Sequence, residues 1–379
     1  MREEIGIVAI GQAAGNIGLL FEEKGYNVFY INTSTEDLNT LKDSAHKYHV
    51  PGGEGCAKER DKAKTLLAMD IDNLIDGVRT KIPQKQVLVI FSSGGGTGSG
   101  LSPYLMSVLV EEFAIPEEES DNPAAEPEKY FAAVTILPGK TDSTQAFMNS
   151  YECCKELLDV EDMGSVFFLD NDSQNDKLTI NRVFVDALDA VFLIPDKHKS
   201  AKGNVDRAEV KKALFKTPGA AVVCKLSRER NTEGQIIASL KNSVFAPIEN
   251  DRAVLYYLTS TTRELNKASL YAELGEPLDM FATYNEGSNI MLVSGLTYPN
   301  RRLDQIYGVV EAKSHSIEKS YQATANNKLS KDTNILAKAR AARQSKSVMV
   351  KDPAHPSREV AVAAPPKKSG RDLLKKYSR

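Results

Sequence analysis

Between an apolar run, Val87-Leu-Val-Ile-Phe91, and a helical pattern from about Ser102 to Phe113 stands Ser92-Ser-Gly-Gly-Gly-Thr-Gly-Ser-Gly100. Five of the seven residues from Gly94 to Gly100 are glycine. Backbone without Cβ atoms can curl so that the N–H groups of Gly94, Gly95, Gly96 and Gly98 turn toward one anion. The helix just beyond adds the partial positive charge of its N-terminus, and Thr97 and Ser99 offer hydroxyl donors. A glycine run set between an apolar strand and a helix reads as a phosphate cradle rather than a flexible linker. It lacks the Gly-Lys-Ser/Thr ending of a P-loop. Nor does it follow the first strand with Gly-x-Gly-x-x-Gly spacing and a ribose-binding acid downstream, which argues against a dinucleotide-binding dehydrogenase.

The surrounding pattern sets the cradle in an alternation. Residues 5–10 are apolar and end at Gly11-Gln-Ala-Ala-Gly-Asn-Ile-Gly18; helical spacing runs from about Ile17 to Lys24, and Val28–Ile31 is apolar again. A helical stretch near 58–80, then strands Val87–Phe91, Phe131–Leu137 and Ser165–Leu169, continue the series. Such alternation predicts an α/β fold, a doubly wound and mostly parallel sheet with helices on both faces. Residues 116–128, rich in acids and prolines, interrupt it as an exposed loop. A helix from about Leu178 to Leu193 follows. Ala220–Lys225, Val254–Thr259, Met280–Tyr284 and Ile290–Ser294 then read as a four-stranded sheet in a smaller α+β domain.

At 379 residues the chain can hold two cores, since single cores stop growing near roughly 250–300 residues. The expected division is a nucleotide-binding domain 1–177, a central helix 178–200, a second domain 201–300, a C-terminal helix 301–345 and a flexible basic tail 346–379. From Asn327 onward there are 14 Lys/Arg against 4 Asp/Glu, so an overall charge of −3 conceals an acidic body and a basic tail. That asymmetry points to an acidic partner for the tail. No segment approaches the length of a membrane span, the N-terminus has no signal-peptide character, and Cys56, Cys153, Cys154 and Cys224 show neither zinc nor disulfide spacing. The expectation is a cytoplasmic chain with no membrane partner and no protein metal ligands.

Gly-Gly-Gly-Thr-Gly-Ser-Gly resembles the signature of the tubulin/FtsZ superfamily, and the resemblance extends over about residues 5–320. It implies a GTP-binding, GTP-hydrolysing protein that polymerises with itself head to tail. Gly11, Gln12, Ala13 and Asn16 stand where the superfamily has its first nucleotide loop, with Ala13 and Ala14 in place of glycines usual in FtsZ. Asn32-Thr-Ser-Thr-Glu-Asp-Leu38 is similar to a second loop, and Pro51-Gly-Gly-Glu-Gly-Cys-Ala-Lys-Glu-Arg60 to the loop that senses the γ-phosphate. Thr141 and Asp142, in Leu137-Pro-Gly-Lys-Thr-Asp142, fall in the ribose loop. Asn171, ending Leu169-Asp-Asn171, and Asn181 match guanine-reading positions, where an amide serves as both donor and acceptor. Each could equally cap a helix.

Gly203-Asn-Val-Asp-Arg-Ala-Glu-Val210 resembles the family loop that enters the nucleotide site of the next subunit. Asp206 and Glu209 carry over as the carboxylates that position or polarise the attacking water, making hydrolysis conditional on assembly. Their alternative role is to cap a helix over 206–215 and occupy its first turn; the two roles are compatible. Mg²⁺ is implied by the chemistry of a triphosphate site without a P-loop lysine. Within the superfamily, Tyr48–Arg60, Leu169–Asn171 and Lys216-Thr-Pro-Gly219 are most like TubZ, the plasmid- and phage-encoded group. That likeness implies DNA segregation through a DNA-bound, TubR-like adaptor held by the tail, with Leu373, Leu374 and Tyr377 among its lysines. The alternative is an FtsZ- or CetZ-like role in division or cell shape.

Overall fold

The computed structural model describes residues 1–41, 46–116, 119, 122, 125–174, 176–249 and 254–326. The basic tail, and residues 327–345 of the expected last helix, lie outside them. The chain runs β1 (Ile5–Ile10), α1 (Gln12–Glu23), β2 (Asn27–Asn32), α2 (Thr35–Asn39), β3 (Lys47–His49), α3 (Arg60–Lys81), β4 (Gln86–Ser92) and α4 (Thr97–Glu112). It continues with β5 (Tyr130–Leu137), α5 (Thr144–Leu158), β6 (Val166–Asp170), α6 (Lys177–Lys197), β7 (Lys199–Ser200), β8 (Gly203–Asn204) and α7 (Arg207–Phe215). Then follow β9 (Ala220–Ser227), α8 (Glu233–Lys241), β10 (Val254–Thr261), α9 (Lys267–Leu274), β11 (Pro277–Tyr284), β12 (Ser288–Leu296) and α10 (Asn300–Asn326).

The fold is α/β. β1 to β6 are parallel throughout and lie in the order β6-β5-β4-β1-β2-β3. The strands of the second half extend the same sheet in the order β11-β10-β12-β9, with β12 antiparallel to its two neighbours. One parallel pair, Val166 with Ala220, joins the two groups. Met1–Val310 packs as one compact unit; a second begins at Glu311, and its described part runs to the end of α10.

The runs that read as strands are buried on both faces: β1, β4 apart from its last residue, and β6 have no exposed position. This is what a parallel sheet covered by helices on both sides requires. α3, α4 and α5 pack side by side, while α1 and α7 pack with α6. Two helices begin earlier than their apolar spacing indicates. α1 starts at Gln12, immediately after Gly11 at φ 83°, and α4 starts at Thr97, inside the glycine run. Apolar periodicity marks where a helix must face a core, so a polar or glycine-rich first turn escapes it.

Candidate functional site

Because β1, β2, β4, β5 and β6 are parallel, the loops that follow them gather at one end of the sheet. Open α/β sheets bind ligands in the crevice outside these carboxyl ends. Gly11 follows β1, Thr33 follows β2, Ser93–Gly96 follows β4, Pro138–Ser143 follows β5 and Asn171 follows β6. The predicted loops therefore converge, and their contacts are specific. A Cβ on Gly11 would sit 3.4 Å from the Gly98 amide nitrogen, so the first loop and the glycine run meet backbone to backbone. Thr33 Oγ1 and Thr97 Oγ1 share a 2.7 Å hydrogen bond, and Thr33 also contacts Cys56 Sγ at 3.3 Å.

The glycines of the run serve different purposes. A Cβ at Gly96 would lie 2.9 Å from the nitrogen and Cα of Lys58 and from Cys56 Cβ. At Gly98 it would meet the Ser92 carbonyl at 2.9 Å, at Gly100 Ala63 at 2.7 Å, and at Gly94 Ala146 at 3.2 Å. Only Gly95, within Gly94–Gly100, faces open space. Most of these glycines thus let neighbouring elements close on the loop, and Gly95 marks its open side.

α4 points its N-terminus into this crevice. Pro103, within the helix, cannot donate to the carbonyl four residues back, Ser99. Arg60 fills the gap: its Nε and Nη2 donate to the Ser99 carbonyl at 3.3 and 3.1 Å, and the guanidinium pairs with Glu156. Ser99 itself is buried, and its hydroxyl donates back to the Gly95 carbonyl. It therefore shapes the loop from within, whereas Thr97 stays at the crevice beside Thr33.

Asn149 on α5 carries no signal in the sequence, yet it holds the loop. Its side chain is buried, and Nδ2 donates to the carbonyls of Lys58 (2.9 Å), Gly95 (3.1 Å) and Gly94 (3.4 Å). Gln145 orients it by donating to Oδ1 at 2.9 Å. With these carbonyls turned toward α5, the loop's N–H groups are left to face the other way.

Around the expected ribose and base positions the side chains are tied to one another. Asp142 accepts from the Gly139 amide at 2.9 Å and pairs with Lys177 at 3.1 Å; Thr141 is exposed. Gly139 packs on Asn171, with a would-be Cβ 3.1 Å from its carbonyl. Below this turn Arg302 of α10, buried, donates to Asp170 at 2.7 and 3.0 Å, to Asp172 at 2.9 Å and to the Pro138 carbonyl at 2.9 Å. This buried ion pair joins the β5 and β6 loops and was not legible in the sequence. Asn181 is buried on α6, which Asp176 caps by accepting from Leu178 and Thr179, while Gln12 and Asn16 are exposed on α1.

Asp206 and Glu209 form a reciprocal capping box at the start of α7. The Glu209 amide donates to Asp206 Oδ1 at 2.8 Å, and the Asp206 amide to Glu209 Oε2 at 2.9 Å. Burial raises the Glu209 carboxyl above its ordinary range; the Asp206 amide opposes this, and the charges of Asp206 and Asp279 reinforce it. This helix start lies far from the glycine run. Arg207 and Lys211 pair with Glu4, just before β1, whereas Gly11 follows the other end of that strand. Six residues of β1 at about 3.3 Å each put roughly 20 Å between the two ends.

Among the described residues no three His, Cys, Asp or Glu side chains gather to hold a metal. The hydroxyls at the crevice suit Mg²⁺ only as an ion that keeps most of its waters and is held by phosphate oxygens. All four cysteines are buried and free, and burial pushes the Cys154 and Cys224 thiols up to about 12. No helix among the described residues is long and apolar enough to cross a membrane.

Residues 2–178 match the family described as Tubulin/FtsZ family, GTPase domain. The tubulin-like protein TubZ of Clostridium botulinum C phage is 28% identical over 319 residues, 83% of this chain and 84% of that protein. The crystal structure of Clostridium botulinum phage c-st TubZ is similar with a TM-score of 0.72 at 26% identity, covering 83% of this chain and 100% of that one. A GTPγS-form protofilament of Bacillus thuringiensis serovar israelensis TubZ shares the fold, with a TM-score of 0.69, 17% identity, and coverage of 86% and 95%.

Proposed function

We propose, from the match of residues 2–178 to the Tubulin/FtsZ family GTPase domain, that this chain binds GTP at the carboxyl ends of its strands. We further propose that it polymerises head to tail and hydrolyses GTP where two copies meet. The phosphates would lie over Gly95 and the first turn of α4, within reach of Gly11, Gln12, Ala13 and Asn16, and of Thr97. Gly94, Gly96, Gly98 and Ser99 would fix the loop's shape. Thr141 and Asp142 would border the ribose, and Asn171 and Asn181 the guanine edge. Mg²⁺, when bound with the triphosphate, would neutralise charge that builds up as the γ-phosphate leaves.

One observation carries the reading. The cradle and the Asp206/Glu209 pair occupy opposite ends of the same parallel sheet, so one copy cannot bring its own acids to its own phosphates. Stacking copies along the strand direction supplies the acids of one to the cradle of the next. There a carboxylate would hold and orient the attacking water and accept its proton. Turnover that depends on assembly follows directly. GTP-dependent pelleting with phosphate release, measured as protein concentration varies, tests this. Turnover per subunit should climb through a critical concentration; a constant value at all concentrations would rule out a shared site.

The wider role we propose is segregation of plasmid or phage DNA through a DNA-bound adaptor, supported by the basic tail and the likeness to phage TubZ. Lys367, Lys368, Lys375 and Lys376 would attract a complex with exposed phosphates, and Leu373 and Leu374 would anchor it. Deleting residues 360–379 should leave polymerisation and turnover near normal while removing salt-sensitive co-pelleting of adaptor-bound DNA. Equal recovery with the truncated chain would favour the division- or shape-related alternative.

A further inference from the structure

Asn171 is held from both sides. Asp170 before it is buried, Asp172 after it is half-buried, and one buried guanidinium, that of Arg302, binds both. Arg302 Nε donates to Asp170 at 2.7 Å. Its Nη2 reaches Asp170 at 3.0 Å, Asp172 at 2.9 Å and the Pro138 carbonyl at 2.9 Å. The two carboxylates in turn bind backbone: Asp170 Oδ1 accepts from the Asp172 amide at 3.0 Å, and Asp172 Oδ1 from the Lys140 amide. Two carboxylates this close repel each other unless a cation lies between them. A planar fork of fixed donors can serve both at once, which a single ammonium cannot do as well. Arg302 therefore sets the backbone on either side of Asn171 and ties it to the start of the β5 loop.

The Asn171 side chain is left out of this network. Among the described residues no hydrogen bond reaches its amide, while its carbonyl packs on Gly139. A fixed backbone carrying a free amide is preorganised for a ligand, because neither polar group must first be released from a protein partner. The first turn of α10 is also seated without the Arg302 fork. The Arg301 amide donates to Glu249 at 3.0 Å, its guanidinium pairs with the same carboxylate at 3.2 Å, and Tyr307 packs on Tyr151.

We infer that Arg302 is a positioning residue for base selectivity, fixing the turn 170–172 so that the Asn171 amide meets the N1–H and 2-amino donors of guanine. This rests on the nucleotide-binding reading above. Hypoxanthine keeps N1–H and lacks the 2-amino group. An amide held in place rewards the second donor, whereas one that wanders gains little from it.

The test compares the affinities of the full chain and of Arg302→Lys for GTP, GDP and inosine triphosphate. Lysine keeps the charge and loses the fork. The parent should prefer GTP to inosine triphosphate. In Arg302→Lys, GTP and GDP should weaken equally, by about tenfold, and inosine triphosphate by much less, so that the preference shrinks. Asp170→Asn leaves Arg302 bound to Asp172 and should shrink the preference by a smaller factor; it decides the matter if Arg302→Lys does not fold. Arg301→Ala, at the same helix start, should keep the parent's preference. Lower thermal stability with an unchanged preference in both clamp variants would leave Arg302 a structural ion pair and overturn the inference. A parent that bound GTP and inosine triphosphate equally would overturn it too, with nucleotide binding intact. A parent that bound no guanine nucleotide would refute the nucleotide-binding reading first and this inference with it.

Discussion

The two ends of the parallel sheet solve opposite problems. At the carboxyl ends, side chains are used mainly to shape backbone: Asn149, Arg60 and Ser99 bind carbonyls. The result is a surface of N–H groups and hydroxyls beside glycines, suited to an anion. At the amino ends, Asp206 and Glu209 present carboxylates, each accepting from the other's amide at the start of α7. The first end offers N–H groups and hydroxyls, and the second a pair of carboxylates. On the proposed reading, two half-sites roughly a strand's length apart would make hydrolysis a property of the contact between copies.

Asp206→Ala attacks the acidic end and should have the largest effect. Turnover per assembled subunit should fall by about 10²–10⁴, the usual contribution of a general base, with nucleotide affinity unchanged and filaments that persist. The lost cap should cost about 1 kcal/mol of stability, visible in thermal melting. Normal turnover in assembled filaments would leave Asp206 only its capping role.

Paired substitutions at the other end separate closure of the loop from contact with the ligand. Gly96→Val forces a side chain against the Lys58 backbone and Cys56, so GTP affinity should drop tenfold or more, about 1.4 kcal/mol or above. Thermal stability should drop with it, because the obstruction is the protein itself. Gly95→Ala meets no protein atom within 4 Å and should melt as the parent does while still weakening GTP severalfold. Unchanged GTP binding in Gly95→Ala would show that the open side of the loop is not where phosphate lies.

The smallest effect expected is in pH dependence. Burial raises the Glu209 carboxyl above the ordinary range, and a base acts only when deprotonated. Turnover at saturating GTP should therefore rise with pH through a value above that of a free glutamate. Glu209→Gln keeps the capping-box acceptor and should flatten that limb. The sign for stability is opposite: a carboxyl raised on folding favours the fold most below its ordinary pKa, and this contribution disappears as pH rises through the raised value. An unaltered pH profile in Glu209→Gln would take that residue out of the proton transfer.

Much of this was written locally. A glycine run between an apolar strand and a helix reads as a phosphate cradle from the sequence alone, because Cβ-free backbone and a helix N-terminus are properties of a few consecutive residues. Strand–helix alternation likewise announced the sheet, since fully buried strands leave continuous apolar runs. The Asp-x-x-Glu spacing at 206–209 carried its capping geometry in four residues. Tertiary structure alone decided which glycine faces open space and which ones are packed, because that depends on Lys58, Ala63 and Ala146 arriving from elsewhere. It also set the Asn149 clamp on Lys58, 91 positions away, and the Arg302 pair with Asp170, 132 positions away. Such contacts leave no periodicity to read: each partner is an ordinary polar residue until the sheet brings it to the loop. The separation of the acids from the cradle was decided in the same way, by strand direction and by Arg207 and Lys211 fastening α7 to Glu4.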